Sequence, residues 1–432
     1  MLDIRFIREN PELVQEAANN KGYDVSIKEL LSADESRREL MSRADELRAK
    51  RNEISGQMKG GKPAPELVEQ GKQLKTELAE VEDRLRVVDE TYLTLLKSVP
   101  NMPAHDVPVS RDEDDNVVVK TVGEIPQFSF TPRNHYEIAQ ERGWLDKERA
   151  AKVAGSRFAY VMGDMVKLEL AIEQFVINTL TDEAKIKEIA EGAGLADIST
   201  KPFIPVLPPL MIKTEAYDQM DRLEPQDDRY KIEGEELWLQ GSAEHVLGSM
   251  HAGEIFDEVD MPVRYLGFAT SFRKEAGTYG KDMEGLIRMH QFDKLEMESF
   301  STADTSYDEH LLFIAVQEYL LAALELPYHV LLKVTGDIGK PDARGVDMEV
   351  WLPGQGKYRE THTADYMTDY QSRRLNTRVR REGGIELVHT NDATAFALGR
   401  CMVAILENYQ TEDGHIVIPA VLRPYMGGRE VI

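Results

Sequence analysis

The sequence predicts an α+β protein: an antiparallel sheet flanked by helices, preceded by a long antiparallel two-helix coiled-coil arm. Three observations carry this. Between Ile27 and Val99 apolar residues recur at alternating three- and four-residue steps on either side of one break, the heptad rhythm of paired helices. Between Tyr265 and Met297 side chains alternate with period two around a polar loop, as in two neighbouring strands. The remaining strand-like runs are joined by hairpins or long excursions, not by regular βαβ crossovers, which favours an antiparallel sheet with helices against it.

The arm belongs to an N-terminal domain of residues 1–99, with the hairpin at about 27–98. Its first seam runs through Leu30, Ala33, Arg37, Leu40, Ala44, Leu47, Arg51, Ile54 and Met58. Lys59-Gly60-Gly61-Lys62-Pro63 breaks the helix, and Leu67, Gly71, Leu74, Leu78, Val81, Leu85, Val88, Tyr92 and Leu95 continue the rhythm. Helices of this kind are roughly 45 Å long at 1.5 Å per residue, so the arm is expected to project from the body. Arg37 and Arg51 take seam positions where an optimised coiled coil carries Leu or Ile. The arm is also near neutral, with 14 Lys+Arg against 15 Asp+Glu in a chain of net charge −25. A dimerisation rod is the plain reading; a rod less acidic than the rest of its chain can also approach a polyanion.

The chain has 432 residues and a pI near 4.9. An acidic protein of this size is not a general nucleic-acid coat, because the phosphate term needs a basic surface. Cys401 is the single cysteine, which excludes an internal disulfide, and no zinc ligand set is visible. With no apolar leader at the start and no membrane-length run, the expectation is a cytoplasmic protein without membrane attachment. Residues 100–118, rich in proline and acid, read as a linker, and residues 119–432 as the second domain.

Along that domain, His135 to about Thr181 is expected to be helical, with a shorter helix over Lys185–Leu195. Phe203–Leu210 is a strand closed by prolines and therefore confined to an edge or interface. Leu237-Trp238-Leu239 leads through Gly241-Ser242-Ala243-Glu244-His245 into a helix. After the central hairpin come a helix over Asp308–Leu324 and strands over Tyr328–Val334, Asp347–Trp351 and Ile385–His389. A helix is expected from about Ala393 to Tyr409, and Ile416–Pro419 with the LRPYMGG tail closes the domain.

The central hairpin carries the candidate chemistry. Tyr265, Gly267, Ala269, Ser271 and Arg273 share one face with Arg288, His290, Phe292, Lys294 and Glu296. Small residues there make room beneath arginines, a carboxylate and an exposed ring, which suits a charged, ring-bearing ligand such as a nucleotide. Neither a glycine-rich P-loop nor a dinucleotide fingerprint is present.

Phe272-Arg273-Lys274-Glu275-Ala276-Gly277, Met289-His290-Gln291-Phe292 and Gly399-Arg400…Ile405-Leu406-Glu407-Asn408-Tyr409-Gln410 resemble the motifs of the seryl-tRNA synthetases. The resemblance extends over the whole chain, including the arm, the proline-ended first motif near Pro208-Pro209 and the tail Leu422-Arg423-Pro424-Tyr425-Met426. It implies a class II synthetase sheet, a homodimer built around the first motif, and ATP with Mg²⁺. It also implies L-serine as the amino acid and serine tRNA held by the arm, with selenocysteine tRNA where a cell has one. Arg273 and Arg400 would be catalytic: Arg273 on the α-phosphate and serine carboxylate, Arg400 on the far phosphates. Glu275 would accept from the adenine amino group and Phe292 would stack on the ring. Lys274, Arg288, Met289, Thr361 and His362 complete the ATP site, and Glu360 and Thr363 would hold Mg²⁺. Glu244 would bind the serine ammonium, Glu296 and Thr394 its hydroxyl, with Ser242, Ala243 and Asp392 beside them. No histidine is assigned a proton transfer, because a carboxylate is already nucleophilic.

Three departures mark this chain. Ser242 stands where the family usually has Thr. His362-Thr363-Ala364-Asp365-Tyr366 replaces Ser-Ser-Cys-Ser-Asn, and Asp392 replaces Asn. The stretch Lys185–Lys201 is also longer than usual. A carboxylate at 392 suits an ammonium and disfavours an anionic substrate. Two rival readings exist: a paralogue charging a carrier protein or using another small amino acid, and an inactive coiled-coil interaction protein.

Overall fold

The computed structural model describes residues 1–58, 64–275 and 285–432. The expected helix break at Lys59–Pro63 and the Ala276-Gly277 end of the second motif lie outside them. The chain divides into two compact units, Met1–Met102 and Pro103–Ile432.

The first unit holds α1 (Ile4–Glu9), α2 (Pro11–Asn20), α3 (Ile27–Gln57) and α4 (Pro65–Ser98). Ser26 caps α3 by accepting from the Glu29 amide at 3.2 Å, and Pro65 starts α4 where a missing N–H costs nothing. The expected seam forms: Ala44, Leu47, Leu78 and Val81 are buried against one another, flanked by Leu40 and Leu74. The two seam arginines behave differently from each other. Arg51 is exposed. Arg37 donates to Asp89 at 2.5 Å and lies 4.9 Å from the centre of the Tyr92 ring, so its charge is balanced within the hairpin. Asp34, not on the expected seam, is buried and takes both guanidinium arms of Arg8, at 2.6 and 2.8 Å.

The second unit opens with β1 (Val117–Val122), α5 (His135–Glu141), β2 (Leu145–Asp146), α6 (Lys147–Val153), β3 (Tyr160–Val161), α7 (Asp164–Leu180) and α8 (Glu183–Gly192). The expected helical stretch after His135 is thus cut into three helices. Gly143, Gly155 and Gly163 interrupt it at positive φ. A Cβ on Gly163 would also stand 3.3 Å from the Trp144 ring, so only glycine fits there. Next come β4 (Ile204–Val206), β5 (Met211–Lys213), α9 (Thr214–Gln219), β6 (Leu237–Leu239), α10 (Ala243–Gly248), β7 (Ile255–Asp257), β8 (Val263–Phe272) and β9 (Gln291–Ser301). The chain continues through α11 (Ser306–Ala323), β10 (Tyr328–Leu332), β11 (Arg344–Leu352), β12 (Lys357–Thr368), α12 (Ser372–Leu375), β13 (Arg378–Arg381), β14 (Gly384–Leu387), β15 (His389–Ala397) and α13 (Leu398–Asn408).

Among the described residues, eight strands form the main sheet in the order β1-β10-β11-β12-β15-β9-β8-β4. Every pairing is antiparallel except that of β4, the proline-containing edge strand, which runs parallel to β8. One face, with Leu266, Leu295, Met297, Val346, Met348, Ala364 and Ala393, joins α7, α11 and α13 in the main core. The tail joins that core through Ile416, Ile418, Leu422 and Met426.

One expectation fails here, and one strand has no counterpart in the sequence reading. Ala393–Ala397 is strand, not helix: it pairs with Met297, Glu296, Leu295 and Lys294 of β9, and α13 starts only at Leu398. Sheet pairing overrides the helix propensity of its alanines. The twelve residues of β12 escape a period-two reading because a bulge between Met348 and Glu349 interrupts its pairing with β11.

Arg264 of β8 is fully buried. Its guanidinium donates to both Glu309 carboxylate oxygens of α11, at 2.7 and 2.5 Å, and to the Lys201 and Ser199 carbonyls. Removing one partner strands the other charge in the interior, at a cost of about 3–5 kcal/mol. Glu309→Ala is therefore expected to lower the free energy of unfolding, measured by denaturant titration, by that amount, and Arg264→Met/Glu309→Leu together by much less.

Candidate active site

Directly opposed residues in neighbouring strands point to the same side. Pairing places Ser271 opposite Phe292, Ala269 opposite Lys294, Gly267 opposite Glu296 and Tyr265 opposite Glu298. On the other edge of β9, Thr394 faces Glu296 and Asp392 faces Glu298. Asp365 faces Asp392, and Thr363 faces Asp347. The charged side chains thus share the sheet face opposite the helical core. Gly267 makes the near end of this face usable: a Cβ there would stand 2.7 Å from Leu247 and 3.1 Å from Ala243. Its absence lets α10 sit on the strand and deliver Ser242 and Glu244.

A cleft of about 640 Å³, mouth included, opens over the far end. Arg273, Glu275, Arg288, Met289, Phe292, Lys294, Glu360, Thr361, Thr363, Thr394 and Arg400 line it. Arg273 donates to the Gly241 carbonyl at 3.0 Å, and its guanidinium carbon lies 5.3 Å from the Phe292 ring centre. Arg288 is held by Glu275 at 2.5 Å. Arg400, near the start of α13, donates to Glu360 at 2.9 Å and to the Ile287 carbonyl at 3.4 Å. Desolvation works to raise the Glu360 pKa, but Arg400 and Lys333 outweigh it and hold it at about 2. The side chain nevertheless remains 51% accessible. It is therefore an ionised carboxylate open to the cleft.

Beside the cleft lies a buried polar pocket. Ser242 Oγ donates to Glu296 at 3.0 Å and accepts from Lys294 at 3.3 Å, while Lys294 is paired with Glu296. Burial pushes the Glu296 pKa up against the pull of Lys294. Glu244 accepts from Arg222 at 2.8 Å and from Gln371 at 3.4 Å. Asp392 is buried beside Glu244, and burial followed by the Glu244 and Asp365 charges drives its pKa well above the usual carboxylate range. Glu298 is raised in the same way, by burial and then by Glu244 and Glu296.

The structure brings most of the expected site residues together, with three exceptions. His362 faces Met348 on the core side of β12, with its ring 4.9 Å from that of Phe396; burial lowers its pKa to about 3. The strand bulge turns this histidine away from the cleft that the resemblance assigns it. The Ala243 side chain packs into the cluster of Leu247, Tyr265 and Ala269. Lys274 is exposed, 5.5 Å from the Tyr230 ring. Arg222, the pairing of Lys294 with Glu296, Glu298 and the inward turn of Asp365 are not among the features singled out from the sequence. The period-two alternation that selects Lys294 and Glu296 also selects Glu298, so this residue was accessible to it. Arg222 lies in a loop and has no such signal.

An antiparallel sheet whose site is assembled from a strand–loop–strand arginine and the arginine of a following helix defines a class II aminoacyl-tRNA synthetase core. Residues 228–409 match the family described as tRNA synthetase class II core domain (G, H, P, S and T), and residues 1–103 match the seryl-tRNA synthetase N-terminal domain. The serine--tRNA ligase of Thermodesulfovibrio yellowstonii is 38% identical over 99% of both chains. The crystal structure of seryl-tRNA synthetase from Pyrococcus horikoshii complexed with ATP has a TM-score of 0.88 and 36% identity, covering 100% of this chain and 99% of its own. The cytoplasmic serine-tRNA ligase of Naegleria fowleri in complex with AMP gives 0.85 and 28%, covering 100% and 98%. The chain belongs to the seryl-tRNA synthetase family. Among the described residues no helix is long and apolar enough to cross a membrane.

A second cavity adjoins the cleft behind Phe292, lined by Glu169 and Asp293 among others. Burial, then the charges of Asp293 and Glu173, raises the Glu169 pKa from 4.5 to about 7. The unfolded chain loses this proton first, so stability falls as pH rises from about 4.5 to about 7 and then levels. Glu169→Gln is expected to flatten that part of the pH–stability curve, measured by denaturant unfolding at several pH values.

Proposed function

We propose that this chain activates L-serine with ATP and esterifies serine tRNA with it, including selenocysteine tRNA where a cell has one. One observation carries the reading: the β8–β9–β15 face joins a cleft walled by three arginines and an aromatic ring to a buried carboxylate pocket. The names of the relatives support the same assignment. In the first step a serine carboxylate oxygen attacks the α-phosphorus and pyrophosphate leaves. In the second, the terminal ribose hydroxyl of the tRNA attacks the acyl carbon and releases AMP. The protein contributes orientation and charge stabilisation rather than a covalent intermediate.

Arg273 holds the α-phosphate and serine carboxylate, a task for a bidentate guanidinium. Phe292, with Met289, receives the adenine, and Glu275 accepts from its amino group. Arg288 and Arg400 meet the phosphates. Glu360 and Thr363 would hold Mg²⁺: one is an ionised carboxylate, the other a hydroxyl, and two protein oxygens suit a cation that keeps waters and phosphate oxygens as further ligands. When bound, the ion neutralises phosphate charge. Glu244 takes the serine ammonium, while Ser242, Glu296, Asp392 and Thr394 surround its side chain. The hairpin of about 27–98 grips the tRNA by backbone shape more than by sequence. The working unit is a homodimer in the cytoplasm.

Two measurements test this. Arg273→Lys should lower serine-dependent ATP–pyrophosphate exchange by about 10²–10³-fold, the usual effect of removing one preorganised donor. Deleting residues 27–98 should leave exchange within a few-fold of the full chain while abolishing charging of serine tRNA. Equal charging without the arm would remove its tRNA role, and absence of exchange with any amino acid would remove the ligase reading.

A further inference from the structure

The amino-acid pocket holds more unpaired acid than one serine can satisfy. Glu298, Asp365 and Asp392 occupy neighbouring places on β9, β12 and β15, and none is more than 8% exposed. Both Glu298 oxygens, and one oxygen each of Asp365, Asp392 and Glu296, are buried without a hydrogen-bond partner. Glu298 feels the charges of Glu244 and Glu296, and Asp392 those of Glu244, Asp365 and Glu296. The cations facing them are already engaged. Arg222 is shared between Glu244 at 2.8 Å and Asp342 at 3.1 Å. Lys294 is paired with Glu296, and Lys333 lies between Asp337 and Asp347 at 3.6 and 3.5 Å.

A buried carboxyl without a partner is costly to ionise and keeps its proton, whereas a cation placed beside it lets it ionise and pair. Serine brings one ammonium, which Glu244 receives, and a single hydroxyl proton. A β-ammonium in place of the hydroxyl would bring three donors and a charge to the same spot. Beside Glu298 the α10 side is closely packed: a Cβ on Gly248 would stand 2.5 Å from Met220 Cε and 3.6 Å from Glu298 Oε1. Ornithine, two methylenes longer than diaminopropionate, probes the room beyond that side.

We propose that this pocket takes L-2,3-diaminopropionate, the amino analogue of serine, at least as well as serine, with Glu298, Asp365 and Asp392 as the residues that specify its β-ammonium. The inference rests on the ligase reading above and extends its substrate class. The chemistry is unchanged. A carboxylate oxygen forms a bond to the α-phosphorus of ATP as the bond to the bridging oxygen breaks, and pyrophosphate leaves with the electron pair.

The test is ATP–pyrophosphate exchange by the full chain with serine, diaminopropionate, alanine and ornithine. It is run on the wild type and on Glu298→Gln and Asp392→Asn, each checked for folding by circular dichroism. The expected result is a diaminopropionate kcat/KM equal to or above that of serine, with ornithine inactive. Each variant should lower the diaminopropionate-to-serine ratio by about tenfold or more, since a polar site discriminates strongly through its buried partners. Exchange with serine but no more with diaminopropionate than with alanine overturns the inference and leaves the ligase reading standing. A ratio unchanged in both folded variants also overturns it. If neither variant folds, the wild-type comparison decides, and silence with all four amino acids overturns both readings.

Discussion

The register of β9 between β8 and β15 is the constraint on which the rest of the site depends. Side chains alternate along a strand, so a slip of one residue would send Phe292, Lys294, Glu296 and Glu298 into the helical core and bring Leu295 and Met297 to the site. The apolar residues prevent that slip. Leu295 and Met297 are completely buried against α7, α11 and α13, and each would lose on the order of 1.5–3 kcal/mol if returned to water. The core therefore holds the chemistry in place from behind, and the two partner strands complete it from either side.

Charge is sorted along that face. The end near Arg273, Arg288 and Arg400 is cationic, although the chain as a whole carries −25. A polyphosphate is thus met by a local field opposite in sign to the global one. The other end is acidic and buried, where one Arg222 and one Lys294 face several carboxyls. Glu360 belongs to the first end: its low pKa follows from the arginine beside it. Asp392 and Glu298 belong to the second, where burial and mutual repulsion act in the opposite direction. The same residue type thus serves distinct tasks according to its surroundings.

Much of this was legible in the sequence, for a physical reason. Heptad and period-two patterns are written in single residues, so the hairpin arm, β8 and most of β9 could be read directly. Of the residues that those patterns and motifs select, Arg273, Phe292 and Arg400 line the cleft and Glu296 lies beside it with Ser242 and Lys294. What failed depends on partners distant in sequence. The end of β15, Ala393–Ala397, reads as the start of a helix because its alanines favour helix until β9 is paired with it. β12 was missed because a bulge breaks its alternation, and the same bulge sends His362 into the core. Arg222 has meaning only beside Glu244 and Asp342, and Arg37 only beside Asp89 and Tyr92.

The most direct test of the account is a crystal structure of this chain with a non-hydrolysable seryl-adenylate analogue. The account predicts adenine stacked on Phe292, the phosphate position within hydrogen-bond reach of Arg273, and the seryl ammonium at Glu244, all on the β8–β9–β15 face. An analogue bound elsewhere, or one whose seryl end points away from Glu244 and Glu296, would contradict it.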